Sequence, residues 1–181
     1  LTTFDIAYNR YKTVESPDGP VRIELIKYGS WPELMDALNT GRVDGASVLI
    51  ELAVKAREQG IDLKAATLAH KDGNIIVTLP EIDSVEDLRG KVFAIPHKQS
   101  THKLLLDELL AAHGMTESDL KVVEMTPPEM PAALAQKRIA GYCVAEPFGA
   151  LAVVNGTGKV FARADELWHD SPCCALVFNG D

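Results

Sequence analysis

The residues best suited to chemistry gather in residues 91–110, KVFAIPHKQSTHKLLLDELL. Val92–Ile95 is a short apolar run closed by Pro96, which reads as a buried strand that stops abruptly. His97, Lys98, Gln99 and Ser100 make a polar turn. Leu104, Leu105, Leu109 and Leu110 then recur at helical spacing, and Gly114 stands where a helix stop belongs. A strand that passes through a polar turn into a helix presents free backbone N–H groups and the positive end of the helix dipole, to which Ser100 and Thr101 add hydroxyls. A small anion or polar ligand fits such a place. A plain N-cap role for Ser100 accounts for the same residues. His97, as a cation or a neutral donor beside the helix start, would favour an oxyanion.

Other chemistry is incomplete. Gly156-Thr157-Gly158-Lys159 resembles a phosphate loop, but Val160 replaces the Ser or Thr that would bind magnesium, and Val153 stands where the first Gly belongs. Gly45-Ala46-Ser47-Val48-Leu49 is a nucleophile elbow without its last Gly. His97 and His102 are five apart rather than four, so they do not share a helix face as zinc ligands do. Cys173-Cys174 lacks metal-ligand spacing. No nucleophile, base and orienting group can be placed together, so neither catalysis nor a cofactor or metal is expected. Neighbouring cysteines rarely bridge each other, which leaves at most one longer link, from Cys143 to Cys173 or Cys174.

The elements that must position these residues come from a chain of 181 residues, enough for one large domain or two small lobes. A net charge of −8, with no basic run, argues against a nucleic-acid partner, because phosphate binding needs a basic face. A few N–H groups and one cation still suffice for a small anion. No apolar stretch approaches the ~20 residues that span a bilayer.

Residues 1–69 match residues 97–165 without a gap at an offset of 96. Ser30-Trp31-Pro32-Glu33 falls on Thr126-Pro127-Pro128-Glu129, Ala37-Leu38 on Ala133-Leu134, Arg42-Val43 on Arg138-Ile139, and Gly45, Val48 and Gly60 on Gly141, Val144 and Gly156. The matches are caps, helix stops and strand entries, which is the signature of a duplicated unit. Each copy reads helix (about 3–12 and 100–113), strand (21–27 and 121–125), helix (about 31–40 and 129–137), strand (45–48 and 141–145), helix (about 49–59 and 147–155), strand (64–69 and 159–163). Strands alternating with helices predict a parallel, doubly wound sheet in each of two α/β lobes. The second copy opens with Val92–Ile95, and its counterpart would precede Leu1, so the repeat predicts that a first strand is missing. Two apolar runs fall outside the repeat, 74–79 (NIIVTL) and 172–178 (PCCALVF), and are expected to join the lobes.

With two lobes and two joining strands, the chain resembles the extracytoplasmic solute-binding proteins of the nitrate/sulfonate/taurine ABC-transporter group. The stretches that carry the resemblance are GSWPELMDALNTGRVDGA, HKDGNIIVTL, SVEDLRGKVFAIPHKQSTHKLLLDELL, TPPEMPAALAQKRIAGYCVAEPFGA and PCCALVF. The group has the type II periplasmic binding fold and includes binders of thiamin-pyrimidine precursors. The resemblance implies a first lobe of residues 1–77 with 177–181 returning to it, a second lobe of 78–176, and further parts before Leu1 and beyond Asp181. It departs at Lys98-Gln99, where the family often has Gly before the Ser-Thr pair.

What the resemblance implies is a small polar or anionic solute (nitrate, sulfonate, taurine, bicarbonate or a pyrimidine) held between the lobes by hinge closure. The closed form, a monomer outside the cytoplasm at the membrane, would hand the solute to a permease. Ligands of open α/β sheets sit beyond the carboxyl ends of the strands. The candidate contacts are therefore Thr2, Thr3, Ser30, Trp31, Ser47, His70, Asn74, His97, Gln99, Ser100, Thr101 and Glu146. Capping, packing or a surface turn accounts for each of them equally simply. Two other classes share the fold, a thiamin-pyrimidine synthase and the effector domain of a LysR-type regulator.

Overall fold

The computed structural model describes residues 13–180, so Thr2, Thr3 and the helix expected at 3–12 lie outside the described residues. Thr13–Ser16 (β1) and Gly19–Arg22 (β2) form an antiparallel hairpin in which Ser16 faces Gly19. Gly19 has a φ of +112°, open to glycine at little cost, and the Ser16 hydroxyl donates to its carbonyl at 2.8 Å. The strand expected over 21–27 thus ends at Arg22. Its ladder partner is the preceding strand, and Leu25 and Ile26 beyond it are 40% and 56% exposed, with no apolar layer to hold them in a sheet.

The chain divides into two compact units. The described part of the first covers 13–48, Ala53–His70 and 174–180. Trp31–Asn39 (α1) starts at Ser30, whose side chain accepts from the Glu33 N–H. Pro32 suits the first turn because no N–H is required there. Gly45–Leu49 (β3), Ile50–Glu58 (α2) and Leu63–Lys71 (β4) follow. A three-stranded sheet runs in the order β3, the strand Pro172–Asn179, β4. Asn179 ends that strand by donating from Nδ2 to the Leu38 carbonyl at 2.8 Å.

The second unit is Leu49–Leu52 with Lys71–Cys173. Its strands are Asn74–Thr78 (β5), Val92–Ile95 (β6), Lys121–Glu124 (β7), Gly141–Ala145 (β8) and Lys159–Arg163 (β9); Pro172–Asn179 is then β10. They lie in the order β7-β6-β8-β5-β9. β6 runs parallel to β7 and β8, whereas β5 is antiparallel to β8 and β9. The sheet is therefore mixed rather than wholly parallel. All five residues of β5 are buried, as a central strand requires. The run NIIVTL, expected to join the lobes, belongs wholly to this unit. The helices are Thr101–Ala112 (α3), Met130–Ala135 (α4), Phe148–Val154 (α5) and the single turn Ala164–Leu167 (α6). Phe93, Ile95, Leu105, Leu106, Leu110, Met130, Leu134 and Tyr142 form the core, each at most 1% exposed. Burial contributes roughly 1.5–3 kcal/mol for each large side chain.

The duplication seen in the sequence is present in the fold. Ser30 with Glu33 and Thr126 with Glu129 cap equivalent helices, and Trp31–Asn39 corresponds residue for residue to the 3₁₀ turn Pro127–Glu129 plus α4. Gly45 and Gly141 open equivalent strands for one shared reason. A Cβ at Gly45 would lie 2.6 Å from the Phe178 ring, and one at Gly141 would lie 2.9 Å from the Val77 carbonyl oxygen and 2.8 Å from the Phe93 ring. β10 lies between β3 and β4 as β5 lies between β8 and β9.

Candidate functional site

In the second unit, β6, β7 and β8 are parallel, so their carboxyl ends, Ile95, Glu124 and Ala145, share one edge. β5 runs the other way and starts at that edge, where Asn74 pairs with Ala145. Asn74, His97, Gln99, Ser100, Thr101 and Glu146 are thereby brought together along one rim. Asn74 is separated from the β6 end by two strand spacings, roughly 10 Å.

Along this rim the polar groups divide into those already satisfied and those left over. The Ser100 hydroxyl donates to the His97 carbonyl at 2.6 Å, while the Thr101 hydroxyl lies 2.6 Å from the Pro172 carbonyl oxygen and also meets Glu51 Oε1. His97 Nδ1 accepts from the Gln99 N–H at 3.0 Å, and its Nε2 stands 3.9 Å from Glu124 Oε1. An accepting Nδ1 places the proton of a neutral imidazole on Nε2, facing that carboxylate. Glu124 Oε1 also receives the Lys98 N–H at 2.7 Å. Glu146 Oε2 takes the Ala150 N–H at 2.8 Å and so caps α5. A cavity of about 280 Å³ opens beside the end of β7, lined by Glu124, Met125, Glu129, Ala132 and Arg138.

Asn74 is different. It is 2% exposed, and neither Oδ1 nor Nδ2 reaches a hydrogen-bond partner among the described residues. A buried amide without partners costs about 1–3 kcal/mol per group. Three more atoms are left over in the same unit: Thr78 Oγ1, His102 Nδ1 and Glu51 Oε2 are sealed from solvent and lack a partner among the described residues. His102 Nε2 lies 4.0 Å from Cys173 Sγ. Burial, partly offset by the Thr101 hydrogen bond, raises the Glu51 carboxyl above its ordinary value of 4.5.

The remaining candidates lie in the first unit. Ser30 is an exposed cap, Trp31 is half-buried at the start of α1, and Ser47 is half-buried within β3. The His70 imidazole and the Cys174 thiol come within 4.8 Å of each other. Cys143 is a free thiol, which burial raises well above its ordinary value.

Glu51 and His102 were not among the sequence candidates. The signal for Glu51 was available, since it follows β3 at a helix start just as Ser100 follows β6. His102 occupies an inward position of α3, where a core histidine and a functional one have the same spacing.

The second unit's sheet, with parallel strand ends meeting helix starts at one edge, is the fold of the periplasmic binding proteins. The nitrate-binding protein NrtA from Synechocystis has it, with a TM-score of 0.77 at 21% identity over 98% of this chain and 51% of that one. A crystal structure of the ligand-binding component of an ABC-type import system from Staphylococcus aureus, with zinc bound, is nearer in sequence. It gives a TM-score of 0.81 at 46% identity over 88% of this chain and 56% of that one. The bicarbonate transport ATP-binding protein CmpC of Synechocystis sp. is 30% identical over 83% of this chain, which spans 26% of that protein. The chain belongs to the NMT1-like family, whose model matches residues 6–181. It spans about a quarter to just over half the length of these relatives.

Proposed function

We propose that this chain forms part of the solute-binding component of an ABC importer. It acts outside the cytoplasm, takes up a small polar or anionic solute and delivers it to a membrane permease. It binds its solute rather than converting it. The observation that carries the reading is Asn74, a buried amide with both polar atoms unpartnered among the described residues, at the edge where the start of α3 also lies. An unmet donor and acceptor at the carboxyl edge of an α/β sheet suit a polar solute, which would supply the missing bonds. Family membership and the likeness to a nitrate-binding protein and to an ABC import component support the same reading. No helix among the described residues is long and apolar enough to cross a membrane.

The test is a thermal-shift screen with nitrate, bicarbonate, taurine, alkylsulfonates and an aminopyrimidine, repeated on Asn74→Ala. A ligand of the native state raises the unfolding midpoint by mass action. A solute that shifts the wild type and not the variant supports the reading; no shift with any of them refutes this solute class. A second reading takes a transition-metal ion as the solute. The nearby imidazole and thiol of His70 and Cys174 favour it, as does the zinc in the Staphylococcus aureus relative. Zinc added to the same screen, with Cys174→Ser as the control, separates the two.

A further inference from the structure

Thr101 has one hydroxyl proton and two neighbours that compete for it. Its Oγ1 lies 2.6 Å from the Pro172 carbonyl oxygen and in hydrogen-bond contact with Glu51 Oε1. A carbonyl oxygen only accepts, and an ionised carboxylate only accepts. With Glu51 ionised, one of the two contacts would set lone pair against lone pair at a site from which Thr101 is 0% exposed. We infer that Glu51 is held as a neutral carboxylic acid that donates to Thr101, which in turn donates to Pro172, making the start of α3 a proton-dependent latch. The relay then has one proton for each acceptor. It ties together three separate stretches of the second unit: the 49–52 segment, the first residue of α3 and the first residue of β10.

The surroundings agree. Glu51 Oε2 is sealed and has no hydrogen-bond partner among the described residues. Burial is the largest influence on the carboxyl and raises it from 4.5. The titratable groups that face it are Cys173 on β10, which raises it further, and His102 on α3, which lowers it. The Thr101 hydrogen bond and the backbone N–H of Glu51 itself also lower it, and burial outweighs both. His102 Nε2 is turned toward Cys173 Sγ at 4.0 Å.

The latch bears on the solute, and here it rests on the function proposed above. A neutral Glu51 adds no negative charge to the helix start, so an oxyanion meets no repulsion there. Ionisation would place a carboxylate beside it and weaken oxyanion binding as pH rises.

The experiment observes the proton directly, without a solute. Protein carrying ¹³C at the glutamate side-chain carboxyl carbon is titrated by NMR, and the resonance missing from Glu51→Gln is assigned to Glu51. The expected result is a carboxyl that titrates above the range of the other glutamates. Thr101→Ser, which keeps the hydroxyl, should keep that behaviour, and Thr101→Val should change it. Thermal unfolding adds a second readout. A carboxyl raised in the folded state supports stability below its ordinary value and loses that support as pH rises through its folded value. Wild-type stability should therefore fall from mildly acidic to mildly alkaline buffer, while Glu51→Gln, a permanent neutral donor, should lose this part of the slope. A Glu51 resonance within or below the ordinary glutamate range overturns the latch. If Glu51→Gln does not fold, the resonance moved by Thr101→Val gives the assignment and the same criterion applies. A normal titration would leave the solute reading intact, and a failed solute screen would leave the latch intact.

Discussion

Asn74→Leu should make the second unit more stable and the protein worse at its task. Leucine has nearly the shape of asparagine, with two methyl groups in place of Oδ1 and Nδ2. Those two atoms are buried without partners among the described residues, in a strand whose five residues are all buried. Removing an unsatisfied buried polar group recovers about 1–3 kcal/mol. Overpacking by the slightly larger methyl groups returns up to about 1–3 kcal/mol, toward the low end for a near-isosteric exchange. The net expectation is a gain of up to about 2 kcal/mol. For a unit near a hundred residues that raises the midpoint by roughly 4–8 °C per kcal/mol. The two tryptophans make the assay specific. Trp31 lies in the first unit and Trp168 in the second, so in a Trp31→Phe background the remaining fluorescence follows the second unit alone. Urea unfolding without solute, compared with and without Asn74→Leu, gives the change directly. If the solute bonds to this amide, its affinity should fall at least about tenfold, the equivalent of one lost hydrogen bond of roughly 1.4 kcal/mol. A variant destabilised by more than about 1 kcal/mol would mean that the amide has a partner in the folded protein and would refute the reasoning.

Two further outcomes follow from packing and from protonation. Gly149→Ala should destabilise the second unit by up to about 2 kcal/mol in the same fluorescence assay: helix propensity favours alanine by about 1 kcal/mol, but overpacking costs roughly 1–3. The cause is local, because a Cβ there would lie 2.3 Å from Ile75 Cγ2 and 3.4 Å from Val77 Cγ2. Tyr142 donates to the Phe148 carbonyl at 3.0 Å, and burial, with Glu146 nearby, pushes its phenol up to about 12. A raised phenol supports stability below its ordinary 10.0 and loses that support as pH rises toward about 12, so ultraviolet titration should show an ionisation near about 12 that is missing from Tyr142→Phe. Tyr142→Phe should cost about 1–2 kcal/mol near neutral pH and flatten the alkaline limb of a pH–stability curve.

Local and periodic features were legible from the residues alone. The helix starts at Ser30 and Thr126, the strand that stops at Pro96 and the helix that follows Ser100 are set by interactions within a few residues, and each stands where the sequence placed it. The repeat was legible for the same reason: caps, stops and close-approach glycines are conditions on the local backbone, and Gly45 and Gly141 meet the same condition twice. Long-range pairing was not. An apolar run such as NIIVT tells that a strand is buried on both faces but not which strands flank it or in which direction, and β5 proved antiparallel inside the second unit's sheet. The strand expected at 21–27 had the alternation but found its ladder partner only as far as Arg22. The polar chemistry of the rim was decided by tertiary structure as well. Residue type marks Ser100, Thr101 and Asn74 alike as hydrogen-bonding groups. The local turn supplies the His97 carbonyl to the first, whereas only the fold supplies Glu51 and Pro172 to the second and nothing among the described residues to the third. Whether Thr101 and Asn74 are satisfied depends on residues tens of positions away, brought together by the fold, and no property of the groups themselves encodes that.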